Sequence, residues 1–204
     1  MLFRSRAVPS LDLRFAESKS LTDAVTGQSL VTFTRASTGT YVDSDGLIKT
    51  AATNLLTYSE QFDNAAWQKT NLTVTANSVV APDGTTTADT ATAATTDFYT
   101  RLRRSPAGLI TNTAFTYSVY VKKNTSDWIA LRFWDIATGR AVWFNVNTGA
   151  IGTVQTECTA AITNVGNGWY RCAITKTIAG AISYNECDIM LSSTDNSNTA
   201  TAGD

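Results

Sequence analysis

Hydrophobic and polar residues alternate along much of the chain, which is the pattern of β-strands with one buried face. The clearest case is residues 115–121, where Phe115, Tyr117, Val119 and Val121 fall on one face. Four further segments are predicted as strands: 128–135, 141–146, 169–175 and 184–191. Turn signals separate about ten such short strands at intervals of about 8–15 residues, with no helical period. The pattern therefore predicts an all-β antiparallel sandwich of the jelly-roll type.

The first 52 residues are short polar pieces that predict an extended N-terminal arm without a core of its own. One short strand is predicted at 11–15. A β-hairpin is predicted at 41–48, where apolar pairs flank the turn Asp43-Ser44-Asp45-Gly46. We expect this arm to lie on its own sandwich or to dock on a neighbouring chain.

The stretch 53–77 marks the start of the main domain, which we assign to residues 53–204. Phe62 and Trp67 are large apolar anchors that precede a strand in which Leu72 and Val74 alternate with polar residues. Aromatic residues in this position most often belong to the core. We therefore predict that Phe62 and Trp67 are buried and structural.

Composition and charge exclude several classes of protein. The formal net charge is −1 and acidic and basic residues are mixed, without the basic stripe that nucleic-acid binding requires. No apolar run of about 18 residues occurs, and residues 1–10 lack the apolar core of a signal peptide. We expect no nucleic-acid partner, no membrane insertion and no secretion by that route.

The three cysteines are Cys158, Cys172 and Cys187, each within or beside a predicted strand. They form no Cys-x-x-Cys pair, and an odd number is poor evidence for a disulfide framework. We predict that they are small buried thiols.

Residues for catalysis are scarce. The chain has no histidine, which removes the commonest general base and the usual Ser-His-Asp and Cys-His pairs. No nucleophile-elbow, phosphate-loop or dinucleotide motif occurs. A pair of carboxylates acting as a glycosidase remains open in principle, but many of the acidic residues lie in or beside turns. We expect no enzymatic activity.

The turn at 43–46 begins like a calcium-binding loop, but the later ligands and the distal Glu of that motif are missing. An ordinary hairpin turn is the better interpretation. We assign no cofactor and no metal ligands from the residues.

The same alternation places several aromatic residues opposite the predicted core. Trp134 and Arg132 lie on the other face of 128–135, Trp143 on the other face of 141–146, and Tyr120 on that of 115–121. Together they could share the non-core face of one sheet. Flat aromatic rings beside hydrogen-bonding groups suit a sugar, so Trp134, Trp143, Arg132 and Tyr120 are candidate glycan ligands. The alternative is that an arm, a loop or another subunit covers them.

Two resemblances give these patterns a context. The Asn54-Leu55-Leu56 opening, with Phe62 and Trp67 ahead of the first strand, resembles the CenC-type carbohydrate-binding modules. The run FTRASTGTYVDSDGLIKTAATNLLTYSEQFDNAAW is similar to tail-fibre and head-fibre proteins of tailed bacteriophages. The order FTYSVYVKKNTSDWIALRF, FNVNTGAIGT and GNGWYRCAIT extends the resemblance over residues 31–195.

The resemblance implies a virion structural protein of a tail fibre, head fibre or decoration. It implies contacts with capsid or tail proteins, a homo-oligomer with a trimer favoured, synthesis in the host cytoplasm and a place on the virion surface. Relatives of the carbohydrate-binding type often hold a structural calcium, whose ligands are unknown here. The alternative function is a carbohydrate-binding module that adsorbs the particle to host surface polysaccharide.

One departure from these relatives concerns the end of the sequence. Such relatives usually continue into a final aromatic strand, whereas the sequence stops at Asp204 inside the preceding loop. We expect either that the sequence is an incomplete chain or that a neighbouring subunit supplies the strand, since an unpaired sheet position exposes backbone groups.

Overall fold

The computed structural model describes residues 39–42, 46–50, 54–106, 109, 112–135, 138–178 and 185–204. The chain divides into two units, Met1–Thr53 and Asn54–Asp204. The strand predicted at 11–15 and the turn residues Asp43, Ser44 and Asp45 lie outside the described residues. Among the residues that are described, no helix is long and apolar enough to span a membrane.

In the first unit, β1 (Thr40–Val42) and β2 (Ile48–Thr50) form an antiparallel pair. Thr40 lies opposite Thr50 and Val42 lies opposite Ile48. An antiparallel pair is what the hairpin predicted at 41–48 requires, although only one residue of each apolar pair, Val42 and Ile48, lies opposite the other, while Tyr41 lies opposite Lys49.

The second unit contains thirteen strands in its described residues. They are β3 (Gln68–Thr70), β4 (Leu72–Val79), β5 (Ala88–Ala93), β6 (Asp97–Phe98), β7 (Arg101–Arg104), β8 (Thr113–Lys122), β9 (Trp128–Asp135), β10 (Thr138–Asn145), β11 (Ala150–Val154), β12 (Cys158–Gly166), β13 (Trp169–Ile178), β14 (Asn185–Ser192) and β15 (Thr199–Ala200).

These strands form four antiparallel sheets. A six-stranded sheet has the order β11-β10-β9-β14-β7-β3 and a three-stranded sheet has the order β12-β13-β8. Two smaller pairs are β4-β5 and β15-β6. The predicted all-β antiparallel class is confirmed for the described residues.

The main hydrophobic core lies between the six-stranded and the three-stranded sheet. Leu131 and Phe133 of β9 and Phe144 of β10 pack there against Tyr117 of β8 and Ile174 of β13. The ring of Phe133 meets that of Tyr117 edge to face, with centroids 4.9 Å apart. The apolar faces predicted for 115–121, 128–135 and 141–146 are thus confirmed, in an arrangement consistent with a β-sandwich.

A smaller core forms where the second unit begins. Trp67 is buried with Leu72 and Leu102, and Phe62 packs against this cluster. The centroids of the Phe62 and Trp67 rings are 5.0 Å apart, and the indole N–H of Trp67 donates to the carbonyl oxygen of Tyr58 at 2.8 Å. The prediction that these two aromatics are structural is confirmed.

Burial makes two of the cysteine thiols poor nucleophiles. Cys172 and Cys187 are buried in the main core, as predicted, while Cys158 is half-buried. Burial raises the pKa of Cys172 to about 12. Burial, with a smaller contribution from Asp188, also raises the pKa of Cys187 far above its ordinary value. The reactive thiolate form is therefore scarce at neutral pH.

We expect iodoacetamide at pH 8 to leave Cys172 and Cys187 unmodified in the folded protein and to modify all three cysteines in urea. Mass spectrometry of tryptic peptides measures this directly. Rapid labelling of Cys172 without urea would show that the core opens.

Burial of Cys172 also makes the stability of the fold depend on pH, because the pKa of this thiol in the folded protein lies above its unfolded value of about 8.5. Burial of Cys172 stabilises the fold fully below about pH 8.5, and the benefit falls as pH rises toward about 12.

Candidate binding site on the six-stranded sheet

A cluster of charged and aromatic side chains covers the face of the six-stranded sheet that points away from the main core. We call this face the outer face. It arises because side chains alternate along each strand, so that residues between the core positions of β7, β9 and β14 share one side. Its members are Arg101, Arg103, Arg132, Trp134, Glu186 and Asp188.

Strand register brings the charged members together. Arg132 of β9 lies opposite Asp188 of β14, and Asp188 lies opposite Arg103 of β7. Trp134 lies opposite Glu186 on one side and Gly139 on the other. Three neighbouring strands therefore place alternating positive and negative groups in adjacent positions.

Asp188 is the centre of the ionic network. It is fully buried, and its carboxylate accepts hydrogen bonds from Arg132 Nε at 2.8 Å and from Arg103 Nε at 2.7 Å. Each arginine donates a second bond to Asp188 through Nη2. Arg103 also forms an ion pair with Glu186. These contacts satisfy charges that would otherwise be costly to bury.

The guanidinium of Arg132 also contacts aromatic rings. Its Cζ lies 4.5 Å from the ring centroid of Tyr99 and 5.1 Å from that of Trp134. Both distances fall within the range of cation–π attraction. Arg132 therefore links the ionic network to two aromatic side chains and fixes their positions relative to one another.

Tyr99 is held in place by an unusual backbone conformation. Its φ of 60° lies in the left-handed region, which bulky residues rarely adopt. The backbone N–H of Tyr99 donates to the carbonyl oxygen of Asn198 at 2.8 Å, which supports this conformation. Strain of this kind persists only where surrounding contacts impose it, and it is concentrated at functional sites.

Gly139 makes room for Trp134. A Cβ atom at position 139 would lie 2.5 Å from Cε3 of the Trp134 indole and 3.2 Å from Cδ of Arg132. The indole therefore lies over the glycine of the neighbouring strand, where any other residue would displace it. Trp134 remains half-buried at this edge of the cluster.

Two of the predicted ligand residues, Arg132 and Trp134, come together on the outer face, and Trp143 is on the same face but buried. Only 1% of Trp143 is exposed, and it packs with Ala130, Ala141 and Met190. Its indole N–H donates to the carbonyl oxygen of Ser197 at 2.7 Å. The predicted alternative for this residue, coverage by a loop, describes what is observed.

Tyr120 lies elsewhere. It belongs to β8 in the three-stranded sheet and is 51% exposed. The prediction that Tyr120 shares one sheet face with Trp134 and Trp143 is therefore wrong. Alternation correctly placed Tyr120 opposite the core, but it contains no information about which sheet a strand joins.

Sequence reasoning missed Tyr99, Arg101, Arg103, Glu186 and Asp188. The only signal for the arginines is their two-residue spacing, and Glu186 and Asp188 have the same spacing within 184–191. Charged residues that alternate with apolar ones usually face solvent. Only the pairing of β7 with β14 shows that these particular charges neutralise one another.

The chemistry of the cluster suits binding. Both carboxylates are engaged by arginines, so they position those arginines and are poorly placed to transfer protons. Across the described residues, no group of three or more cysteine or acidic side chains is arranged to hold a metal ion. What the outer face offers is fixed guanidinium donors beside half-buried aromatic rings.

Comparison with known proteins adds no family assignment. No protein-family model matches this chain, and no curated protein sequence matches it.

Proposed function

We propose that this chain is a structural protein of a tailed-bacteriophage virion, from a tail fibre, a head fibre or a decoration, whose second unit recognises a glycan on the host surface. The virion role rests on the sequence resemblance over residues 31–195. The glycan role rests on one observation, the contact of the Arg132 guanidinium with both Tyr99 and Trp134 on the outer face.

The finer description of the fold belongs to the same proposal. The second unit is a jelly-roll sandwich of the carbohydrate-binding type, and residues 1–52 form an arm that attaches it to other virion proteins or to sister subunits. A homo-oligomer, with a trimer favoured, would present several copies of the outer face. Weak individual sites then bind a repetitive polysaccharide strongly, because the later contacts are intramolecular.

The outer face offers partners for both the apolar and the polar groups of a sugar ring. The C–H face of a pyranose stacks on an aromatic ring, and its hydroxyl groups need hydrogen-bond partners fixed in space. Trp134 and Tyr99 offer rings that Arg132 holds in position, and Arg103, of whose side chain 12% is exposed, offers N–H donors fixed by Asp188. Because these donors are held before any ligand arrives, little side-chain entropy remains to be lost on binding.

Replacing Trp134 with Ala should weaken glycan binding by about tenfold or more, since a central aromatic anchor contributes about 2 kcal/mol or more. The fold should persist, because Trp134 is half-buried at the edge of the cluster. Binding is measured on an array of bacterial surface polysaccharides, with circular dichroism to check the fold. Tyr120→Ala is the matched control, since it removes an exposed aromatic from the other sheet.

The outcomes separate the two parts of the proposal. Loss of binding in Trp134→Ala but not in Tyr120→Ala supports a glycan site on the outer face. Equal binding by both variants and the unchanged protein would move the site away from Trp134. If the unchanged protein binds no polysaccharide, the glycan role is wrong and the virion role must be tested alone, by binding to purified phage particles.

A further inference from the structure

The third arginine of the outer face, Arg101, differs from the other two. Arg103 and Arg132 are both paired with Asp188, whereas Arg101 forms no ion pair with any described residue. Its Nε atom is buried and has no hydrogen-bond partner among the residues that the structure describes. Its guanidinium carbon lies 5.1 Å from the ring centroid of Tyr99, the same ring that Arg132 contacts.

The charges of the cluster do not balance. Arg101, Arg103 and Arg132 contribute three positive charges, and Glu186 and Asp188 contribute two negative charges. The difference of one positive charge falls on Arg101, because both carboxylates are bonded to the other arginines. An arginine cannot lose its proton to relieve this excess under ordinary conditions.

The surroundings of Arg101 make its unpaired charge unfavourable. Burial, the largest effect, lowers the pKa of Arg101, and the nearby charges of Arg103 and Arg132 lower it further, while Asp188 and Glu186 act in the opposite direction. A half-buried cation in this position gains from any anion that reaches it. Tyr99, held in its left-handed conformation, keeps the aromatic ring against Arg101 at the same time.

We propose that Arg101 binds an oxyanion of an acidic glycan, so that the proposed glycan site selects sugars bearing a carboxylate, sulfate or phosphate group. This inference rests on the proposed glycan function and adds the class of ligand. The oxyanion bonds to the Arg101 guanidinium, and the sugar ring that carries it lies against Tyr99. A planar carboxylate fits especially well, since two parallel N–H donors of a guanidinium match its two oxygens.

The test uses an array of neutral glycans and of glycans containing uronic or sialic acids, sulfate esters or phosphate esters. The best acidic ligand is then compared with its neutral counterpart, the methyl ester in the case of a carboxylate. We expect acidic glycans to dominate the array and Arg101→Gln to weaken their binding by about 10- to 100-fold. Binding of the neutral counterpart should change by less than about threefold.

Two further variants complete the test. Arg101→Lys should retain part of the acidic preference, because it keeps the charge but not the forked donor geometry. Arg171→Gln removes an exposed charge from β13 in the other sheet and should leave binding unchanged. Thermal melting checks that all variants are folded, and the ligand pair tests the inference independently of any variant.

Each result bears on a different claim. If the array yields only neutral glycans, or if the methyl ester binds as well as the acid, the acidic specificity is wrong while the glycan function stands. Equal losses of acidic-glycan binding in Arg101→Gln and Arg171→Gln would mean that the general surface charge causes the loss. That result would overturn the assignment of Arg101. If the folded protein binds no glycan, both this inference and the glycan function fail.

Discussion

Replacing Asp188 with Asn should lower the free energy of unfolding by about 3–5 kcal/mol, the range measured when one partner of a buried ion pair is removed. Asn preserves the size of the side chain but cancels its charge. Arg103 would still be paired with Glu186, whereas Arg132, of which only 4% is exposed, would lose its partner. Urea denaturation measures the change.

The control for this prediction is Asp127→Asn. Asp127 pairs with Lys123 at the surface, where both side chains are well exposed, so its loss should cost less than about 1 kcal/mol. Adding Arg132→Met to Asp188→Asn should recover part of the stability, because the buried guanidinium that lost its partner is then removed. Equal urea midpoints for Asp188→Asn and Asp127→Asn would mean that water reaches Arg132 and that the network is not buried.

Replacing Trp143 with Ala should lower the free energy of unfolding by about 3–5 kcal/mol, as expected for the loss of a fully buried large aromatic side chain. The change leaves a cavity among Ala130, Ala141 and Met190. It also removes the indole N–H that donates a hydrogen bond to the carbonyl oxygen of Ser197. Urea denaturation followed by circular dichroism gives the magnitude.

Trp134→Ala is the comparison for Trp143→Ala. Trp134 is half-buried, so its loss should cost less stability than that of Trp143 and more glycan affinity. At a temperature where Trp143→Ala is folded, its glycan binding should stay within several-fold of the unchanged protein. A small change in stability with a complete loss of binding would contradict the structural role given to Trp143 and restore it as a ligand residue.

Trp143 and Asp188 both support the candidate site. Trp143 stabilises the sheet beneath the segment that contains Ser197, and Asp188 fixes the arginines that touch Tyr99 and Trp134. From the core side, the hydroxyl group of Tyr117 donates to the backbone carbonyl oxygen of Asp188 at 2.5 Å. The proposed binding groups are therefore supported by the same residues that hold the two sheets together, which favours a site formed before the ligand binds.

Prediction of strands from the sequence is weakest where the strands contain few large hydrophobic residues. The segment containing β5 (Ala88–Ala93) is composed of alanine and threonine with one aspartate, a composition that predicts either a weak strand or a loop. It is a strand because it pairs with β4, with Leu72 opposite Ala93. The short strands β6 and β15 likewise pair with each other. Such elements are stabilised by backbone hydrogen bonds to a distant segment, which local composition does not reveal.

By itself, the sequence determined which side chains of each strong strand share a face. The two-residue period of Ile129, Leu131 and Phe133 placed Arg132 and Trp134 opposite the core, because successive side chains of a strand point to opposite sides. Tertiary structure alone decided which strands are neighbours. It paired Arg103 with Asp188 across 85 residues and assigned Tyr120 to another sheet. The physical reason is that strands pair through backbone groups that nearly every residue carries, so the partner depends on how the whole chain packs.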